Sequence, residues 1–139
     1  MNHLQIALSQ YGVSEQNVGD NPVILNYAKE AGIDGITNDE ISWCSIFMNW
    51  VCFKAGLPMS KSPAARSWLN VGEQTTAPQT GDIVVLWRDS PDSWKGHVGI
   101  FINYSADKHM IFVLGGNQGN RVCIQSLSAT MILQFRKLI

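Results

Sequence analysis

The stretch Ile41 to Gly56, reading ISWCSIFMNWVCFKAG, constrains this chain more than any other. Cys44, Phe47, Met48, Val51 and Ala55 recur at helical spacing, which predicts a helix with these residues along one face. Asn38, Asp39 and Ser42 are each suited to cap its start. Gly56 and then Leu57-Pro58 end it, because glycine permits a left-handed turn and proline cannot continue the helix. Cys44 therefore falls in the first turn, where unbonded backbone N–H groups and the helix dipole favour negative charge. Such a position suits a thiolate nucleophile, and the same amides could hold an oxyanion. The opposing interpretation is a buried structural thiol, the common fate of cysteine in an apolar helix. Cys52 lies beyond the first turn, has no polar neighbour to activate it, and reads as core.

The chain has 139 residues, enough for one domain with a substantial core, and residues 1–139 read as a single unit. A net charge of −1 leaves no electrostatic footprint for nucleic acid or an acidic membrane surface. The longest apolar runs, Ile83 to Trp87 and Met110 to Leu114, are strand-sized and too short to span a bilayer. The N-terminus, Met1-Asn2-His3-Leu4-Gln5, has neither a basic region nor an apolar core segment, so no Sec signal is visible. Cys44 and Cys52 on one helix would lie about 12 Å apart, too far for a disulfide. His3, His97 and His109 show no zinc spacing, and no metal or cofactor is expected.

Along the chain, residues 2–11 suit a short helix. Pro22 sits at the first turn of a second helix, Val23 to Ala31, closed by Gly32. Ile33 to Glu40 is a loop, and the central helix follows. Ser62-Pro63 opens another short helix with Ala64, Ala65, Trp68 and Leu69 inward. Glu73 to Thr80 reads as a polar connection. Strands are then predicted over Asp82 to Trp87, His97 to Tyr104, Met110 to Gly115, Arg121 to Gln125 and Met131 to Leu138. Helices first and strands afterwards predict an α+β fold, with N-terminal helices packed on a C-terminal antiparallel sheet.

His97 opens a strand, and alternation puts His97, Gly99, Phe101 and Asn103 on one face. The glycines beside it suggest room for a substrate, and an anchored but open histidine suits a general base. The alternative is a satisfied half-buried histidine. Gly115-Gly116-Asn117-Gln118-Gly119-Asn120 lacks the G-K-[ST] ending of a phosphate loop and no helix follows it. It reads as a tight turn, from which Asn117 or Gln118 could orient His97 across neighbouring strands.

Trp43-Cys44-Ser45, Gly81-Asp82-Ile83-Val84, Gly96-His97-Val98-Gly99-Ile100-Phe101 and Leu114-Gly115-Gly116-Asn117-Gln118 occur in that order. The set resembles the NlpC/P60 and CHAP group of papain-like cysteine peptidases and amidases. Asp20 to Tyr27 and Ala64 to Leu69 resemble a bacterial and phage subfamily of that group. The resemblance covers nearly the whole chain and implies the papain-like fold. It implies Cys44 as nucleophile, His97 as general base and Asn117 as the third, orienting residue. Some CHAP enzymes carry a glutamate near that strand end, where this chain has Gly115. Trp43, Trp94 and Gln118 are assigned to the substrate groove, Trp94 from the loop before His97. The implied activity is cleavage of amide bonds in peptidoglycan, within the stem peptide or between sugar and peptide, without a metal. The alternative is a catalytically inactive module of the same fold that binds wall or a partner. Peptidoglycan is the expected partner and a monomer the expected state. With no export signal visible, delivery as a phage lysin or an injected effector is expected, and an effector implies a cognate immunity protein.

Overall fold

The computed structural model describes residues 2–15, 21–34 and 43–138. The candidate caps Asn38, Asp39 and Ser42 lie outside the described residues, as does most of the loop before them. Helix α1, His3–Leu8, starts in a reciprocal cap in which Asn2 and Gln5 each accept the other's backbone N–H. Helix α2, Pro22–Ala31, has Asn21 as its cap, proline at its first position and Gly32 left-handed at φ 76° beyond its end.

Helix α3 spans Cys44–Ala55 and closes on Gly56, left-handed at φ 71°. The sequence predicts one apolar face for it; instead every residue from Cys44 to Cys52 is buried. A helix apolar nearly all round belongs in the middle of a core, and α3 packs against α1, α2, and the sheet. Its two buried polar residues, Ser45 and Asn49, are both hydrogen-bonded. Ser45 Oγ donates to the Ser62 carbonyl at 2.7 Å and accepts Trp68 Nε1–H at 2.9 Å. Asn49 Nδ2 donates to the Ser45 carbonyl at 2.9 Å, and Asn49 Oδ1 accepts the Lys61 N–H at 2.7 Å. A buried polar network satisfied in this way fixes one arrangement of its members, here the first turns of α3 against residues 60–62. The short helix expected after Ser62-Pro63 is a 3-10 helix, Ala65–Asn70.

The strands are β1 (Glu73–Thr75), β2 (Ile83–Trp87), β3 (Gly96–Tyr104), β4 (Met110–Gly115), β5 (Cys123–Ser128) and β6 (Ile132–Lys137). They form one sheet in the order β1-β6-β2-β3-β4-β5, antiparallel at every pairing. The architecture is thus the predicted mixture of helices and antiparallel sheet. Strand β1 falls where a plain connection is expected: three polar residues take strand form because the edge of β6 offers them backbone partners. Apolar side chains are buried on both sides of the sheet. Ile83, Val85, Val98 and Ile100 join the helices, while Val84, Leu86, Phe101, Ile111, Val113 and Phe135 form a second cluster. Two-sided burial explains the unbroken apolar run of β2.

Of the glycines around His97, Gly96 lines an open cleft, as the sequence suggests, yet Gly96 and Gly99 both also sit where the chain packs closely. A methyl group on Gly96 would come within 2.9 Å of the Leu86 carbonyl oxygen, and one on Gly99 within 2.4 Å of Val113 Cγ1. They let neighbouring strands and side chains close on β3. Gly116 serves a third approach, because a methyl there would lie 2.7 Å from the Trp43 ring and 2.9 Å from Phe47 Cβ. The turn after β4 thus rests on the residues on either side of Cys44. Gly116→Ala is expected to lower stability by about 1–3 kcal/mol through overpacking. An unchanged midpoint in chemical denaturation would show that this approach is looser than described.

Candidate active site

Cys44 is the first residue of α3, preceded by Trp43, which makes no side-chain cap. The helix ladder begins with Phe47 N–H donating to the Trp43 carbonyl at 2.9 Å. The amides at the helix start therefore stand outside the i to i−4 pattern, the electropositive end of the helix. Cys44 is only 1% exposed and packs within the main core. None of the three cysteines forms a disulfide. Cys52 is core as expected, and burial pushes its thiol pKa up to about 12.

His97 follows Gly96 at the start of β3, pairs in register with Leu86 and is 3% exposed. Its Nε2 lies 2.8 Å from Gln118 Oε1. The orientation of that amide follows from its other end. Gln118 Nε2 donates to the Val113 carbonyl at 2.9 Å and the Cys123 carbonyl at 2.7 Å. Both amide hydrogens are committed to acceptors, so the oxygen faces the ring, and an oxygen can only accept. The neutral imidazole then carries its proton on Nε2 and keeps a lone pair on Nδ1. That is the form a general base requires.

Gln118 is itself held on every side. Its backbone N–H donates to the Arg121 carbonyl at 3.0 Å, and Cys123 Sγ donates to its carbonyl at 3.2 Å. Two expectations are corrected here. The orienting position expected for Asn117 is occupied by Gln118, and Gln118 is buried behind His97 rather than in a substrate groove. The β3–β4 ladder ends at the Ile100–Leu114 pair, so residue 117 has no cross-strand register with His97. Asn117 is left-handed at φ 57°, where the chain turns, and the Gln118 side chain bonds back to the Val113 and Cys123 carbonyls. Among the described residues the Asn117 amide has no hydrogen-bond partner. Trp43, also expected in the groove, is fully buried and donates its Nε1–H to Glu15 Oε1 at 2.7 Å.

A cleft of about 520 Å³ opens beside His97. Asn117, Asn120, Trp94, Arg88 and Lys95 line it, together with Pro63 to Ala65 and Gly96. Trp94 is 80% exposed, as a groove residue should be. The loop that carries it is fastened by Arg66, whose guanidinium donates to the Lys95 carbonyl at 2.8 Å, the Pro91 carbonyl at 2.8 Å and the Ser90 carbonyl at 3.0 Å. Cys44 is not part of the cleft lining. The structure thus brings His97, Gln118, Asn117 and Trp94 together, and sets Cys44 in the buried layer on which the Gly116 turn rests. Sequence reasoning missed the Arg66 anchor and the Ser45–Asn49 network. Ser45 and Asn49 stand four residues apart on a helix otherwise apolar, a spacing that puts two polar groups on one side.

The chain has a cysteine at a helix start and, on the following sheet, a histidine held by an amide. Residues 36–117 match the CHAP domain family, more than half of the sequence, and the chain belongs to that family. The family is of peptidoglycan-hydrolase type. The match holds Cys44, His97 and Asn117 and stops one residue short of Gln118. Among solved structures the chain is similar to RipD from Mycobacterium tuberculosis, described as a non-catalytic NlpC/p60 domain protein adapted to peptidoglycan binding. The similarity has a TM-score of 0.49 at 17% identity and covers 96% of this chain and 91% of that one. A comparison with curated proteins gave no match.

Replacing Gln118 by alanine would remove the partner of the buried His97 Nε2–H and one bond each from the Val113 and Cys123 carbonyls, a loss of at least about 1–3 kcal/mol. Asn117→Gly keeps the left-handed backbone and should stay within about 0.5 kcal/mol of the wild type. Denaturation of the two variants checks the assignment, and the reverse order would return the orienting role to Asn117.

Proposed function

We propose that residues 1–139 form one catalytic unit, a cysteine-dependent hydrolase that cuts amide bonds in peptidoglycan. The observation that carries this reading is the His97–Gln118 pair, because it leaves Nδ1 of a rigidly held imidazole free to accept a proton beside an open cleft. In this reading His97 Nδ1 takes the proton of Cys44, giving a thiolate–imidazolium pair. The thiolate sulfur bonds to the amide carbonyl carbon, and the oxyanion meets the backbone N–H groups at the start of α3. The C–N bond breaks as the imidazolium gives its proton to the leaving amine. Water, deprotonated by His97, then hydrolyses the thioester and restores the Cys44 thiol. Gln118 is neutral and acts by orientation, which suffices once the ion pair has formed.

The substrate lies outside the cytoplasm, so the hydrolase works after delivery to the wall, as a phage lysin or an effector injected into rival cells. An effector would be matched by an immunity protein that covers the cleft beside His97. The protein acts as a monomer in either setting.

A second reading, a module of the same fold that binds wall without cutting it, is favoured by one feature: Cys44 is 1% exposed and does not line the cleft. Digestion of purified sacculi separates the two. The wild type should release soluble muropeptides, whose mass spectra name the bond. Cys44→Ala should release none, and His97→Ala should lose at least about a hundredfold in rate, the scale of a general base. Asn117→Gly should stay active. Release by Cys44→Ala at the wild-type rate would sink the cysteine mechanism, and sedimentation with sacculi without any release would favour the binding module.

A further inference from the structure

The cleft beside His97 has an uneven charge. Two of its lining residues, Arg88 and Lys95, are cations, and none is an acid. The whole chain carries a net charge of −1, so this concentration runs against its average. Asp89 and Asp92 lie on the same loop but do not line the cleft. Among the described residues neither Arg88 nor Lys95 forms a salt bridge, and neither side chain makes a hydrogen bond. Both are exposed.

The two residues also leave the sheet from facing backbone positions. Trp87 and Gly96 are the last pair of the β2–β3 ladder, and beyond it the Arg88 N–H donates to the Lys95 carbonyl at 3.3 Å. Arg88 and Lys95 therefore face each other at the base of one loop. Like charges set opposite across paired strands repel. Arg66 fastens that loop by the carbonyls of Ser90, Pro91 and Lys95. Two like charges at facing positions of a fastened loop, with Lys95 two residues from His97, have the form of a site completed by an anion. An arginine fork with a lysine point charge matches a carboxylate. Trp94 stands between them in sequence with its ring 5.8 Å from Lys95 Nζ, offering an apolar face to whatever carries that carboxylate.

We propose that Arg88 and Lys95 form a carboxylate-binding subsite beside His97 that selects peptides bearing a free carboxylate near the scissile amide. Trp94 covers the bound segment. The hydrolase reading supplies only the identity of that peptide, a wall stem; the charge geometry stands without it.

The test uses Cys44→Ala protein, so that binding is read without turnover. Soluble stem peptides with free carboxylates are titrated against the same peptides with those carboxylates amidated. The free form should bind about tenfold more tightly, the scale of two solvent-exposed ion pairs together. That preference should vanish on adding Arg88→Gln and Lys95→Gln, whose side chains make no hydrogen bond or salt bridge among the described residues. It should also collapse between about 0.01 M and 1 M salt, as the Debye length falls from about 30 Å to about 3 Å. Equal affinity for the two peptides would overturn the proposal, as would a preference that survives the double substitution. Displacement of the peptide by inorganic phosphate but not by acetate would assign the cations to a phosphate group and overturn the carboxylate reading. The two readings fail separately. A preference without sacculus digestion by the Cys44 protein would end the hydrolase reading and leave the subsite standing. Digestion without a preference would do the reverse.

Discussion

Both hydrogens of one buried amide are spent on backbone carbonyls, and the rest of the site depends on that. Gln118 Nε2 holds the ends of two neighbouring strands, through Val113 on β4 and Cys123 at the start of β5. With its nitrogen committed, its oxygen has one remaining task, to accept from His97. A side chain that was only a hydrogen-bond partner could rotate its amide and reverse the polarity of the contact. Here rotation would set Nε2 against the ring and Oε1 against two acceptors, leaving buried groups unsatisfied at the usual cost of about 1–3 kcal/mol each. The turn geometry therefore dictates which ring nitrogen carries the proton.

The same principle operates at the other end of the site. The start of α3 has no side-chain cap from Trp43, and its position is set from the side by Ser45 and Asn49. Gly116 connects the two halves by letting the turn that leads to Gln118 lie on Trp43 and Phe47. Arg66 does comparable work for the cleft wall, turning a polar loop into a fixed support for Trp94. Rigid support matters because orientation is the chief contribution an enzyme's framework makes to a proton transfer.

Much of this was legible in the sequence. Pro22 and Gly32 bounded α2, Gly56 ended α3, and alternation along β3 separated Val98 and Ile100 from Phe101. The unbroken apolar run of β2 marked a strand, though only the structure shows that both its faces are covered. The illegible parts share a cause: each depends on partners distant in sequence. Strand β1 is three polar residues that pair because β6 is there. Trp43 is as aromatic as Trp94, yet one is sealed under Gly116 and the other stands on a loop. Asn117 and Gln118 are neighbours with the same functional group, and a turn of one residue sends them in opposite directions. Spacing alone could not choose between them, because the β3–β4 ladder stops before it reaches either.

The tautomer of His97 can be checked without any substrate. Nitrogen-15 spectra of the histidines, taken at a pH where His97 is neutral, report which ring nitrogen carries the proton. With Gln118 in place, His97 should be protonated at Nε2 and bare at Nδ1, and Gln118→Ala should convert that single form into a mixture of tautomers. A wild-type His97 protonated at Nδ1 would contradict the account directly, because the ring would then have no lone pair to offer Cys44 from that side.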